Sequence, residues 1–380
     1  MNTPWQILVI DDEVEICKQI QRHFEEEKLD DTERTIQITA KQDFKEAVEL
    51  LETQKIDAII LDVRAEGEPD AGIKTLNKIK ETRFVPIVFY TANPNYVNEL
   101  ITSVIRVVEK TEGLDAIHSA LKEMVSTGIP AANRAILRHV EHVQRDFMWN
   151  SHEILSAYHQ EPDKLSIAFL MARRLAASLE STGVGRLAKD MGYSGDQLLD
   201  GDTVHPMYFY IIPPIQNGLH TGALYRESDN KFWVILSNAC DLELRPVKNE
   251  ESQFYRKADH ILLAECLPIQ DQNEHEEWSS KKNKKTIANF RKLIANNRDG
   301  GQPERYFFLP AALGFSDLLV DVQSLKAVTA EMLEEMTPLA IIDSPFRESL
   351  ISRFTRFYSR IGTPNINVEV ILDRLAQPDS

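Results

Sequence analysis

Short apolar runs separated by stretches of helical spacing constrain the fold of the first 110 residues more than any other feature. Short apolar runs that end in polar residues are typical of buried parallel strands. Their alternation with helical segments such as 14–24 and 44–51 predicts an α/β domain with a doubly wound parallel sheet. The predicted strands lie at 7–10, 35–39, 56–62, 85–91 and 105–110.

Polar side chains follow four of these runs. Asp11 and Asp12 come directly after the first, and Asp62 ends the third. Thr91 and Lys110 end the last two. Because the working site of a doubly wound sheet lies beyond the carboxyl ends of its strands, we expect these five side chains to meet at one edge.

This set of residues has a coherent chemistry. Clustered carboxylates repel one another unless a hard cation lies among them, and oxygen ligands in this number suit Mg²⁺. A carboxylate can also attack phosphorus as a nucleophile and form an aspartyl phosphate. A threonine hydroxyl and a lysine ammonium would then stabilise the phosphoryl oxygens by hydrogen bond and charge.

The segments ILVIDDE, IILDV, VFYTA and VVEK, in this order and spacing, resemble the receiver domain of two-component response regulators. The resemblance covers about residues 5–126 and implies a flavodoxin-like fold and a histidine kinase as phosphodonor. A flavodoxin-like domain whose acids only cap strand ends is the alternative, and it does not explain Thr91 and Lys110 together. The roles that the resemblance implies are phosphoacceptor for Asp62, Mg²⁺ ligands for Asp11, Asp12, Asp62 and the backbone carbonyl of Arg64, switch hydroxyl for Thr91, and phosphate-pairing cation for Lys110.

Two departures from the family pattern bear on signalling. Val107 stands three residues before Lys110, where the family commonly has an aromatic side chain that swings inward when the threonine moves. Thr111 stands where the family typically has a proline. We therefore expect phosphorylation with a weak conformational readout through the fourth helix and fifth strand.

A helical connector is predicted after the receiver-like segment, which we bound at 1–127. The last helix of that segment is predicted at 115–127, and it is expected to end at Gly128, Ile129 and Pro130. The connector, 131–182, has apolar residues at helical spacing from Ile136 to Phe147, and again over 165–179. Two interpretations stay open: a coiled coil that forms a homodimer, and a helical hairpin packed on a neighbouring domain.

The remaining segment, 185–380, is predicted to be an α+β domain with a small bent sheet or barrel. Its segments SNACDLE, YFFLP and SPFRESLISRFTRFYSRIGTP resemble an uncharacterised output domain of bacterial anti-phage two-component systems. That resemblance implies a phosphate-buffering regulator whose output is a protein interaction. The predicted strands are 205–212, 232–236, 261–264, 306–310 and 318–322, followed by an amphipathic helix at 345–360.

An effector enzyme controlled by the receiver is the alternative function. Its candidate nucleophile is Cys240, with His205, His220 or His260 as base, although a single cysteine after a strand is more often a packed small hydrophobe. No P-loop, GxSxG, HExxH or paired-cysteine motif occurs in the sequence.

Charge and composition argue against nucleic acid and membrane partners. The formal net charge is −16, which would repel a polyanion, although residues 281–298 carry seven lysines and arginines. That basic run is interpreted as a solvated face, because it has no helix-turn-helix pattern. No apolar run reaches the roughly 20 residues of a membrane helix, and no signal peptide is visible. Three scattered cysteines predict neither a disulfide framework nor a zinc site, so we expect a cytoplasmic protein.

Overall fold

The chain forms two compact units, residues 1–199 and 200–380, each described separately. The three-part division into 1–127, 131–182 and 185–380 stays a prediction. No helix among the described residues is long and apolar enough to cross a membrane. A computed structural model describes residues 3–30, 34–65, 68, 70–158, 164–179, 185, 188–189, 204–215, 218–247, 250–296, 304–361 and 366–376.

The first unit contains a five-stranded parallel sheet in the order β2-β1-β3-β4-β5. All five predicted strands are present, and the doubly wound α/β fold is confirmed. Because β3 and β4 follow β1 on one side and β2 lies on the other, the carboxyl ends of β1 and β3 are neighbours. The strands are β1 (Trp5–Ile10), β2 (Ile36–Lys41), β3 (Ala58–Leu61), β4 (Ile87–Thr91) and β5 (Ile105–Glu109).

Helices cover both faces of this sheet. Alternate residues of β1 enter different cores: Ile7 and Val9 pack with α1 and α4 residues, whereas Leu8 and Ile10 pack with α2 and α3 residues. Burial on both faces explains why these strands read as continuous apolar runs rather than alternating ones. The helices are α1 (Val14–His23), α2 (Phe44–Thr53), α3 (Ala71–Thr82) and α4 (Leu114–Ser126).

The segment between β4 and β5 departs from the pattern of the other crossovers. It forms two 3₁₀ turns, Pro94–Tyr96 and Asn98–Leu100, instead of an α-helix. Pro94 has no backbone N–H to donate, and only 13 residues separate the two strands, so little chain is left for a helix. The fourth helix that the family resemblance implies at this place is therefore replaced by turns.

Two long helices follow, α5 (Ile129–Tyr158) and α6 (Lys164–Ser178). Gly128, with φ of +76°, ends the preceding helix as expected, but α5 begins immediately afterwards because proline is accepted in a first helical turn. His139 Nε2 lies 2.8 Å from Ser178 Oγ, which places the end of α6 beside the first half of α5. The two helices therefore form a hairpin, one of the two interpretations; a homodimer stays a prediction.

The second unit is built on a seven-stranded antiparallel sheet in the order β12-β13-β11-β8-β7-β14-β6. Register shifts at Ala264/Glu265 and Pro338/Ala340 bend it, which confirms the predicted small bent sheet. A separate two-stranded ribbon joins β9 (Arg245–Val247) and β10 (Glu250–Tyr255). The seven strands are β6 (Tyr210–Ile211), β7 (Ala223–Arg226), β8 (Phe232–Ile235), β11 (Ile261–Pro268), β12 (Tyr306–Leu309), β13 (Leu318–Val328) and β14 (Thr337–Ile342).

Helices in the second unit pack on both faces of this sheet through residues such as Leu242, Leu333 and Leu350. The predicted strand at 205–212 was wrong over most of its length: Pro206–Phe209 is a 3₁₀ turn, capped by the His205 ring, and only Tyr210–Ile211 pairs. The helices are α7 (Ala239–Leu242), α8 (Asn273–Ser280), α9 (Lys284–Ile294), α10 (Ala330–Glu334), α11 (Phe346–Tyr358) and α12 (Val368–Leu375).

Candidate functional site

Three carboxylates meet at the carboxyl edge of the parallel sheet. Asp11 and Asp12 follow β1 and Asp62 follows β3, and one oxygen of each lies within 4.8 Å of the others. Asp11 and Asp62 are buried, and Asp12 is half-buried. The sequence-predicted cluster is thus assembled by two adjacent strands.

Asp62 is held in place through both of its carboxylate oxygens. Oδ1 accepts a 2.6 Å hydrogen bond from the backbone N–H of Val63, and Oδ2 accepts a 2.7 Å hydrogen bond from Lys110 Nζ. The backbone N–H of Asp62 donates to the carbonyl of Ile10 at 2.9 Å, which ties it to β1. The carboxylate is therefore fixed at the end of its strand.

Gly72 allows α3 to approach Asp62 closely, and sequence reasoning missed it. A Cβ on Gly72 would lie 2.7 Å from the Cα of Val63 and nearer still to the carbonyl oxygen of Asp62. Its N–H donates to the carbonyl of Val63 at 2.9 Å. A glycine shortly after a strand-end acid was the available signal, because close backbone approach requires a residue without a side chain.

Lys110 joins the two buried aspartates. Its Nζ lies 2.9 Å from Asp11 Oδ2 as well as 2.7 Å from Asp62 Oδ2. Burial alone would lower the pKa of Lys110, but the hydrogen bonds to Asp62 and Asp11 raise it above its ordinary value. The ammonium therefore stays charged, as a phosphate-pairing cation must.

The pKa of Asp11 is strongly affected by its burial in this cluster. Burial raises the pKa of its carboxyl to about 6, although hydrogen bonds from Lys110 and from the backbone N–H of Glu13 oppose the rise. A single ammonium serves two buried carboxylates, so negative charge remains in excess. Hard cations such as Mg²⁺ prefer carboxylate oxygens, and the donor set fits that ion.

Thr91 lies at the end of β4 with its hydroxyl oxygen accepting a 3.2 Å hydrogen bond from the N–H of Asn93. The next element along the chain, at Pro94–Tyr96, places the Tyr96 ring 5.1 Å from the guanidinium carbon of Arg64. The Arg64 backbone N–H lies 3.5 Å from Asp62 Oδ1. Arg64 and Tyr96 thus contact each other beside the phosphoacceptor candidate.

A scan against family models matches residues 7–122 to the response regulator receiver domain. Residues 7–122 are a receiver domain. The predicted receiver domain is therefore confirmed for this part of the chain. A receiver domain supports a role in two-component phosphorelay signalling.

Solved structures of receiver proteins are similar over the same third of the chain. The receiver domain of the Francisella response regulator 1452 is 26% identical, covering 32% of this chain and 97% of its own, with a TM-score of 0.27. The Thermotoga maritima response regulator TrrA, solved with Mg²⁺-BeF, is 24% identical, covering 32% and 98%, with a TM-score of 0.27. No curated protein matches the sequence.

The other candidate residues lie in the second unit and do not form a comparable cluster. Cys240 is exposed in α7, and its Sγ lies 3.7 Å from Asp241 Oδ1. Among the described residues, no histidine is hydrogen-bonded to Cys240 Sγ. The basic run from Lys281 to Lys292 belongs to α9 and the three residues before it, and its lysines are exposed, whereas Arg298 lies outside the described residues. The comparisons do not show the resemblance of this unit to an anti-phage output domain, which stays a prediction.

Proposed function

We propose that the protein is a response regulator that accepts a phosphoryl group on Asp62, from a histidine kinase and with Mg²⁺. The observation that carries the proposal is the position of Lys110, whose ammonium bonds to both Asp62 and Asp11 at the receiver's sheet edge. Thr91, buried at the end of the adjacent strand, completes the set.

The chemistry assigned to the side chains is a displacement at phosphorus. A carboxylate oxygen of Asp62 forms the new P–O bond while the bond from phosphorus to the donor's imidazole nitrogen breaks, and the electron pair stays on that nitrogen. Lys110 then pairs with a phosphoryl oxygen, and the Thr91 hydroxyl donates a hydrogen bond to another. The Val63 N–H orients the nucleophile before the reaction.

Asp11, Asp12, Asp62 and the backbone carbonyl of Arg64 would hold the magnesium ion. When bound, the cation supplies positive charge that offsets the excess of carboxylates and stabilises the charge on the transferring phosphoryl group. The support is the donor set: three carboxylates lie together, and the two buried ones share one ammonium.

We propose a weak conformational readout within the receiver. Val107 has no aromatic ring to swing inward, and the segment after Thr91 consists of 3₁₀ turns rather than a helix. Neither an aromatic ring at position 107 nor a helix at 94–100 is therefore available to convert movement of the Thr91 hydroxyl into a new surface.

A protein-interaction output, without DNA binding, fits a receiver of this kind. We propose that the chain is a cytoplasmic regulator that buffers phosphate in an anti-phage two-component system. Its support is the resemblance of the segments beginning SNACDLE, YFFLP and SPFRESL. A buffer needs to take and release phosphate and does not need a strong switch.

The test is intact-mass measurement after incubation with Mg²⁺ and a kinase or small phosphodonor. The wild type should gain one phosphate and Asp62→Asn none, because the nucleophile is lost. Asp70→Asn is the matched control, since Asp70 is an exposed partner of Lys74 outside the cluster. Equal phosphate in Asp62→Asn and the wild type would overturn the assignment.

The buffering role is tested with the same two proteins in competition. Wild type added to a kinase and a second receiver should reduce phosphate on that receiver, whereas Asp62→Asn should leave it unchanged. An enzymatic activity that is abolished by Cys240→Ala would instead favour the effector enzyme.

A further inference from the structure

The second unit contains a cleft that the phosphoacceptor chemistry leaves unused. Its volume is about 530 Å³, within the range of small-molecule sites. Polar side chains from two separate segments line it, together with Ala239 at the start of α7 and Ile351 in α11. The polar lining residues are His220, Thr221, Arg347, Glu348 and Ser352.

One face of α11 forms a wall of the cleft. Arg347 and Ile351 are four residues apart, as are Glu348 and Ser352, so all four lie on neighbouring parts of the same helical face. Leu350 and Phe357 lie on another face and are buried in the core of the unit. The core-facing side anchors α11, which leaves the cleft-facing side free to carry polar groups.

Arg347 is positioned by close packing against Gly222. Gly222 has φ of +80°, and a Cβ there would lie 3.1 Å from Arg347 Cγ, so the stem of the arginine runs over a residue without a side chain. Its guanidinium bonds to the adjacent Glu348, with Nη2 2.7 Å from Oε1. Both side chains are partly exposed, so this pair is weak, and a doubly charged oxyanion would compete for the guanidinium.

The opposite wall of the cleft carries a polar group that can still accept a hydrogen bond. Thr221 donates its hydroxyl hydrogen to the Ser237 carbonyl at 2.6 Å, which leaves its oxygen able to accept. The neighbouring His220 has a buried Nε2 with no hydrogen-bond partner among the described residues. Because that nitrogen is closed off from the cleft, the hydroxyl oxygen of Thr221 is the acceptor that this wall offers to a ligand.

Two of the segments that stand out in the sequence meet here. SNACDLE contributes Ala239, and SPFRESLISRF contributes the four residues of α11. The receiver chemistry involves neither segment.

We propose that this cleft binds a nucleoside phosphate. The phosphate lies on Arg347, the carboxylate of Glu348 accepts from sugar hydroxyls, and Ile351 and Ala239 give an apolar surface for the base. The carboxylate of Glu348 disfavours an anion that carries no sugar, because it would repel an anion that has no sugar hydroxyl to donate to it.

Isothermal titration calorimetry on the full chain tests this, in chelator so that the aspartate cluster binds no metal–phosphate complex. The probes are AMP, ribose 5-phosphate, adenosine and inorganic phosphate. AMP should bind one to one, and adenosine and inorganic phosphate at least tenfold more weakly.

Arg347→Gln should weaken AMP binding at least tenfold, while keeping a stem to pack on Gly222. Arg374→Gln is the matched control, because Arg374 is an exposed arginine of α12 and does not line the cleft. Ser352→Trp, at an exposed position, should abolish binding by filling the cleft without disturbing the core. Absence of AMP binding at millimolar concentration, wild-type affinity in Arg347→Gln, or equal affinity for inorganic phosphate would each overturn the proposal.

Discussion

Buried charges are arranged differently in the two units. In the receiver, Asp11 and Asp62 are 2% and 7% exposed, carry the same sign, and share one lysine. In the second unit, Asp321 is 2% exposed and receives two hydrogen bonds from Arg305, at 2.9 and 2.6 Å. The receiver cluster leaves negative charge in excess, whereas the pair of Asp321 and Arg305 is balanced.

The difference separates a reactive site from a structural one. A buried carboxylate with its own bidentate arginine has its charge compensated, and removing one partner leaves the other uncompensated. Two buried carboxylates that share one ammonium leave negative charge that a bound cation would compensate. The balance of charge, rather than burial itself, therefore distinguishes the phosphoacceptor candidate from the Asp321 pair.

The largest expected effect comes from removing the shared cation. Lys110→Ala should slow phosphorylation of the receiver roughly a hundredfold, the usual cost of losing one preorganised donor to a developing anion. The rate is measured as the gain of phosphate by intact mass over time. Lys74→Ala is the control, because Lys74 is an exposed partner of Glu68 and Asp70. A Lys110→Ala rate within threefold of wild type would contradict the comparison.

Replacing the balanced aspartate should affect stability and leave phosphorylation unchanged. Asp321→Asn removes the charge that pairs with Arg305 and should lower the free energy of unfolding by about 1.5–3 kcal/mol, the range for hydrogen bonds to charged groups. Urea unfolding measures it, and Asp229→Asn, whose partner Lys231 is on the surface, should behave as wild type. Loss of phosphorylation in a folded Asp321→Asn protein would show that the two arrangements are not independent.

The receiver site was predictable because its residues stand at strand ends. An apolar run that stops at Asp11 or Asp62 fixes both the strand and the edge on which its side chain lies, since parallel neighbours end together. Gly72 was not predictable in the same way, because the need for a bare backbone arises only when α3 packs against Asp62. The turns at 94–100 likewise depend on the short connection between two strands.

The second unit was harder to predict because its contacts join distant residues. Nothing local marks Arg305 as the partner of Asp321, since antiparallel pairing of β12 with β13 brings them together. The aromatic stretch 205–212 has strand-forming composition, yet His205 and Pro206 start a 3₁₀ turn and only two residues find a partner in β14. The cleft, too, exists only once α11 packs beside the loop that carries His220.

The last predicted effect is the pH dependence that Asp11 gives to the free energy of unfolding. Its folded pKa of about 6 lies above the ordinary value of 3.8, so between those values the folded state binds more protons than the unfolded state. Stability from this group is therefore present below about pH 4 and is lost as pH rises through 6. In chelator, Asp11→Asn should be more stable than wild type by up to roughly 3 kcal/mol at pH 8, because the pKa shift is about two units and each unit is worth about 1.4 kcal/mol.

The difference between the two proteins should vanish near pH 4, where both carry a neutral group at this position. Urea unfolding at pH 4 and pH 8 measures it, and Asp70→Asn should show no such dependence. An Asp11→Asn gain that is equal at both pH values would mean that the benefit comes from packing rather than from charge. A gain confined to high pH would show that the receiver sacrifices stability to hold an excess of buried negative charge, which the balanced pair in the second unit does not.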